Sequence, residues 1–71
     1  MKKLNNSKFC FQIEFENNES TYIKTYNCSK RQFIKIFNQI KNLFIMSVVV
    51  KLDDNYYEID TITENEILIK D

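Results

Sequence analysis

The sequence predicts an α+β fold, in which a single antiparallel β-sheet carries one helix packed on one face, with the element order β-β-α-β-β-β. The segment from residue 8 to 16 alternates apolar and polar side chains, which is the period of a half-buried strand. The segment from residue 29 to 42 instead repeats its apolar residues every three or four positions, as an amphipathic helix does. With 71 residues, we expect one domain, 1–71.

The first strand, Lys8–Glu16, directs its large apolar residues to one face: Phe9, Phe11, Ile13 and Phe15. Asn17-Asn18-Glu19 then indicates a turn, since Asn tolerates the left-handed conformation. The second strand, Ser20–Tyr26, is rich in β-branched and aromatic residues.

The register of this hairpin decides which side chains are exposed, because a shift of one residue exchanges the two faces. A three-residue turn places Ile13 opposite Ile23 and leaves three residues on the outer face, namely Tyr22, Lys24 and Tyr26. A two-residue turn places Tyr22 opposite Ile13 instead. We favour the first register, because it pairs one apolar residue with another.

Ser29-Lys30-Arg31-Gln32 predicts the start of the helix, because Ser and Gln at this spacing are typical of a capping box. Asn42 is the expected end, in place of the usual Gly. The apolar stripe that should pack on the sheet consists of Phe33, Ile36, Phe37, Ile40 and Leu43 or Phe44.

Three further strands follow, at Met46–Asp53, Tyr56–Thr61 and Ile67–Lys70. A two-residue turn at Asp54-Asn55 gives three cross-strand pairs that match in character: Leu52 with Tyr57, Lys51 with Glu58, and Val50 with Ile59. We expect Val48, Val50 and Ile59 to line the core beneath the helix. The run from Leu43 to Val50 holds more apolar residues than one strand face can bury, so some of them should contact another chain.

The composition argues against most catalytic chemistry. Without Gly there is no phosphate-binding loop, and without His the usual general base and the usual metal ligand are both missing. Two cysteines cannot form a four-thiolate zinc site, and we expect Cys10 and Cys28 to be reduced and packed. The sequence therefore predicts a protein that is not an enzyme and that uses no cofactor and no metal.

The abundance of Ile, Lys and Asn, whose codons are AT-rich, indicates an AT-rich bacterial host, or a phage or mobile element of such a host. No apolar run approaches the roughly 18 residues of a membrane span. We therefore expect a soluble, cytoplasmic protein without a membrane partner.

The chain is neutral overall, but its charges are unevenly distributed and suggest three candidate surfaces. The basic helix face consists of Lys30, Arg31, Lys35 and Lys41. The acidic patch consists of Asp53, Asp54, Glu58, Asp60, Glu64 and Glu66. The third surface is the sheet face that the helix leaves open, where Tyr residues suit a protein contact: Tyr22, Lys24, Tyr26, Val49, Tyr56 and Ile62.

These features favour a small protein-binding module, which needs only a stable platform and an exposed apolar and polar surface. In a phage or mobile element, such a module is expected to inhibit a larger host protein, as anti-CRISPR and other anti-defence proteins do. The surface could also hold a second copy, in a homodimer that meets around Val49, Tyr56 and Ile62. The alternative is a small nucleic-acid-binding protein that uses the Lys-rich helix and the Tyr/Lys sheet face, which the neutral net charge disfavours.

Overall fold

The computed structural model, which describes residues 2–70, contains one six-stranded antiparallel sheet and one helix. The elements are β1 (Lys2–Lys3), β2 (Lys8–Glu16), β3 (Thr21–Ser29), α1 (Lys30–Ile40), β4 (Ile45–Leu52), β5 (Asn55–Ile62) and β6 (Ile67–Ile69). The strands lie side by side in the order β1-β6-β5-β4-β2-β3. The α+β class is confirmed, and the structure adds the two-residue strand β1, which pairs with β6 and which the sequence analysis missed.

The start of the helix is as predicted, because Ser29 is its N-cap and the capping box is complete. The Gln32 amide donates to the Ser29 hydroxyl at 3.2 Å, and the Ser29 amide donates to the Gln32 side chain at 3.1 Å. The segment before β2 satisfies two more helix amides: the Lys30 amide donates to the Ser7 carbonyl, and the Arg31 amide donates to the Asn6 side chain. At the other end, the helix stops two residues before Asn42.

The core lies between α1 and the inner face of the sheet. Its centre is a stack of Phe11 on Phe33, whose ring centroids are 3.9 Å apart and nearly parallel. The expected inner face of β2 is confirmed, and Val48, Val50 and Ile59 join it from β4 and β5. The stripe on the helix differs from the prediction, because Ile34 is buried whereas Ile36 is only half-buried. The buried residues are Leu4, Phe11, Ile13, Phe15, Phe33, Ile34, Val50, Ile67 and Ile69.

The favoured register of the first hairpin is wrong. Glu16 pairs with Thr21 across a four-residue loop, so Ile13 lies opposite Lys24 and Glu14 lies opposite Ile23. The loop is longer because Asn17 closes it: its side chain accepts hydrogen bonds from the Glu19 and Ser20 amides. Since the pairing differs by one residue, Tyr22, Lys24 and Tyr26 lie on the helix side of the sheet rather than on its outer face.

The second hairpin turns one residue earlier than predicted. Asp53 and Asp54 form the turn, with Asp53 at a positive φ of 56°, and Leu52 pairs with Asn55. Asp is one of the few non-Gly residues that adopt this conformation readily. Val50 therefore pairs with Tyr57 and Lys51 with Tyr56, which replaces all three expected pairs. Because each partner shifts by two residues, the faces of β4 remain as predicted.

A bulge in β5 changes the expected position of Ile62. Ile59 pairs with Ile69 and Thr61 with Leu68, so Asp60 is an extra residue in this strand. Beyond the bulge, Ile62 pairs with the buried Ile67 and packs against the core. It therefore does not share the outer face with Val49 and Tyr56.

Candidate protein interface

Five large apolar side chains are exposed around the end of the molecule where the helix stops. They come from β3 and from the segment that leads from α1 into β4: Tyr22, Ile23, Leu43, Phe44 and Met46. Phe44 is 82% exposed, and the other four are between 43% and 59% exposed. We call this set the apolar patch. A group of exposed apolar side chains at one end of a small protein marks a candidate contact surface.

A groove and the strand pairing relate the five residues to one another. Tyr22, Leu43 and Phe44 line one shallow groove together with Phe15. Glu14 pairs with Ile23 on one side and with Ser47 on the other. Met46 directly precedes Ser47 in the chain. The patch therefore continues from the groove onto the outer edge of the sheet.

The backbone holds the patch in place although its side chains are in solvent. The Leu43 amide donates to the Ile40 carbonyl at 2.9 Å, and the Glu16 amide donates to the Phe44 carbonyl at 2.9 Å. Met46 is an extra residue in β4, because Glu14 pairs with Ser47 and Phe15 pairs with Ile45. Such a bulge redirects a side chain, here into solvent. A fixed backbone lowers the entropy that binding would cost.

The six residues expected on an open sheet face do not form one surface. Tyr26 is half-buried against Phe33, at 6.1 Å between ring centroids, and Tyr22 stacks on Phe15 at 5.2 Å. Lys24 lies between these two tyrosines on the same side and is exposed. Of the six, only Val49 and Tyr56 lie on the outer face.

Tyr56 has its own polar neighbours on that outer face. The Gln12 amide group donates to the Tyr56 hydroxyl at 3.4 Å, and the Lys51 ammonium lies 5.9 Å from the centre of the Tyr56 ring. Val49 pairs with Gln12 on one side and with Glu58 on the other. This surface is more polar than the apolar patch.

The acidic residues are spread along β5 rather than gathered. Asp53 and Asp54 form the turn before β5, whereas Glu64 and Glu66 lie in the turn after it, roughly 23 Å away along an extended strand. Two of the acids are paired with lysines: Glu58 with Lys70 at 3.1 Å, and Glu66 with Lys30 at 3.8 Å. Asp60 is exposed at the bulge.

The basic helix face is likewise divided. The pair with Glu66 directs Lys30 toward the turn after β5 and leaves its side chain only 13% exposed. Arg31 and Lys35 are one turn apart and exposed, and Lys41 is the C-cap.

The two cysteines are free thiols on opposite faces of the first hairpin. Cys10 pairs with Asn27, and Cys28 pairs with Phe9, so the side chains alternate across the sheet. Two thiols placed in this way cannot form a disulfide without rearrangement of the hairpin. Burial raises the pKa of the Cys28 thiol, and the nearby Lys8 ammonium opposes this effect only in part.

Among residues 2–70, no three potential metal ligands of the His, Cys, Asp or Glu type come together. In the same part of the chain, no helix has the length and apolarity that crossing a membrane requires. No protein-family model, curated protein or solved structure matches the chain.

The sequence pattern does not identify the apolar patch as a site. The sequence pattern places Leu43 or Phe44 in the helix stripe and Ile23 on the inner face of the sheet. The available signal was the excess of apolar residues between Leu43 and Val50, which predicted that some would face another chain. The patch contains three residues of this run.

Proposed function

We propose that this chain is a small, non-enzymatic protein-binding module that covers a surface of a larger protein through its apolar patch. Phe44 carries the proposal, because its ring is almost fully exposed while its carbonyl is fixed by the Glu16 amide. Burying one such ring against a partner contributes about 1.5–3 kcal/mol. Aromatic side chains of this kind often dominate a protein interface.

The abundance of Ile, Lys and Asn, whose codons are AT-rich, supports a phage or mobile element as the origin, with a bacterial protein as the partner. In that setting the module acts as an inhibitor, because a small neutral domain without catalytic groups can act by covering a functional surface. Such an inhibitor works in the cytoplasm, where its target is found.

The experiment compares two serine variants in a capture assay from lysate of an AT-rich bacterial host. Phe44→Ser removes the most exposed ring of the apolar patch, and Tyr56→Ser removes an exposed ring of the outer face. We expect Phe44→Ser to lose a partner identified by mass spectrometry, whereas Tyr56→Ser retains it. Loss of the partner with Tyr56→Ser alone would assign the contact to the outer face. Equal capture by the unsubstituted protein and both variants would contradict the proposal.

The homodimer is a second candidate, because a second copy could cover the same apolar patch. Of the three residues predicted for the dimer contact, Ile62 packs against the core, and Val49 and Tyr56 lie on the outer face. Sedimentation of the purified protein at micromolar concentration tests it. A dimer that Phe44→Ser dissociates would assign the patch to self-association.

Binding to nucleic acid is the alternative function. The packing of Tyr26 on Phe33 argues against it, because this half-buried ring is not free to stack on a base. Retention on heparin or DNA at increasing salt tests this function directly. Binding that falls steeply with salt would favour it over the protein-binding module.

A further inference from the structure

The sheet opens into a cleft between β4 and β5. These strands pair only near their shared turn, from Leu52 with Asn55 to Val49 with Glu58. Beyond this point, Ile45–Val48 pairs with β2 alone, and Ile59–Ile62 pairs with β6 alone. Both segments line a cleft of about 500 Å³, and Met46 of the apolar patch is among its lining residues.

The cleft presents unused backbone hydrogen-bonding groups. In an antiparallel sheet, successive residues direct their amide and carbonyl groups alternately to the two neighbouring strands. Each of the two segments has a neighbour on one side, so alternate residues of each direct these groups into the cleft. An extended polypeptide is the ligand that can pair with such edges along its length.

The side chains of the cleft define what that polypeptide should carry. Its floor is apolar, because Phe37 of the helix, Ile45, Val48, Ile59 and Ile62 line it. Its rim is polar and contains Glu58, Asp60 and Lys70. The Lys70 ammonium bonds to Glu58 at 3.1 Å and also feels the charge of Asp60, whose carboxylate accepts a hydrogen bond from the Thr61 hydroxyl. The rim therefore carries a net negative charge, because two carboxylates face one ammonium.

We infer that the cleft binds an extended segment of a partner protein, with apolar side chains on its inward face and lysine or arginine on its outward face. The segment extends β4 or β5 by one strand, and its basic residues lie beside Asp60. The inference rests on the proposed function, because it assigns the partner a strand that continues the contact made by the apolar patch.

The test uses an acetylated and amidated heptapeptide, Thr-Lys-Val-Thr-Val-Lys-Thr, titrated into the isotopically labelled protein. We expect amide chemical-shift changes to concentrate in segments 45–48 and 59–62. A peptide with Glu in place of Lys should bind about tenfold more weakly, because it meets the acidic rim with like charge. N-methylation of alternate peptide amides should also weaken binding, because it removes donors from one strand edge.

Two charge-reversal variants locate the contact. Asp60→Lys should reverse the preference between the basic and the acidic peptide. Asp54→Lys, which changes the charge equally in the turn at the other end of β5, should leave the preference unchanged.

Four results would overturn the inference. In the first, millimolar peptide leaves the amide chemical shifts unchanged, and in the second, the Lys and Glu peptides bind equally well. In the third, the shifts change along β3 instead of the cleft, and in the fourth, the shifts of the cleft residues depend on protein concentration alone. The last result would identify a second copy as the occupant. Since Phe44 does not line the cleft, peptide binding and Phe44-dependent partner capture can fail independently, which separates this inference from the proposed function.

Discussion

The two ends of the helix differ in how completely they are held. At the start, the first three helix amides donate to the Ser7 carbonyl, the Asn6 side chain and the Ser29 hydroxyl, and Lys30 pairs with Glu66. At the other end, α1 stops at Ile40, the side chains of Leu43 and Phe44 face solvent, and the strands beneath separate into the cleft.

This difference separates stability from binding within a chain of 71 residues. A domain of this size has little stability to spare, since its core contributes about 3–5 kcal/mol. Apolar side chains that remain exposed at the second end contribute little to that core, apart from Tyr22, which stacks on Phe15. We expect substitutions at the first end to affect folding, and substitutions at the second to affect binding.

The largest expected effect is at the Phe11–Phe33 stack. Phe33→Ala should lower the free energy of unfolding by about 3–5 kcal/mol, because it leaves a cavity beside a fully buried ring. Because this loss can unfold the protein, Phe33→Leu provides the graded measurement, with an expected loss of about 1–1.5 kcal/mol.

Phe44→Ala removes the same side chain at the exposed end and serves as the matched control. It should change the free energy of unfolding by less than about 0.5 kcal/mol, as surface substitutions do. Urea denaturation of the unsubstituted protein and of the three Phe variants measures these free energies of unfolding. A loss at Phe44 comparable to that at Phe33 would show that both ends belong to one core.

A smaller effect is expected from the helix cap. Ser29→Ala should cost about 1 kcal/mol, because the Gln32 amide loses its acceptor. Ser29→Thr retains the hydroxyl and should recover most of the loss. If Ser29→Ala is neutral in urea denaturation, the hydrogen bonds from the preceding segment alone hold this end of the helix.

The fold followed from periodicity, and the errors came from local chemistry that periodicity does not contain. The alternation of β2 and the Ser29 capping box depend on neighbours along the chain, so both could be predicted. The hairpin register depended on Asn17, whose side chain closes a four-residue loop that its composition does not distinguish from a three-residue turn.

The candidate site was harder to predict for the same reason. The outward position of Ile23 follows from the register, and exposure of Met46 follows from a bulge that appears only when β4 is placed beside β2. The position of Ile62 depends on a second bulge in the same way. An excess of apolar residues after the helix could be recognised, whereas the surface they form required the pairing of strands.

The smallest expected effect is the pH dependence caused by Cys28, which precedes the cap and packs against the core. Burial raises the pKa of its thiol in the folded state, so the folded protein holds this proton more tightly than the unfolded chain does. The stabilisation is complete below the ordinary thiol pKa and is lost as the pH rises through the raised value.

The experiment measures how the rate of Cys28 alkylation by iodoacetamide depends on pH in the Cys10→Ser variant. The rate should rise with a midpoint pH above that of an unfolded thiol. Adding Lys8→Gln should move this midpoint higher, because it removes the opposing ammonium. Cys28→Ala should lack the corresponding alkaline decline in the free energy of unfolding. A midpoint at or below the value of the unfolded chain would show that the thiol at this end of the molecule is open to solvent, and would weaken the contrast with the exposed end.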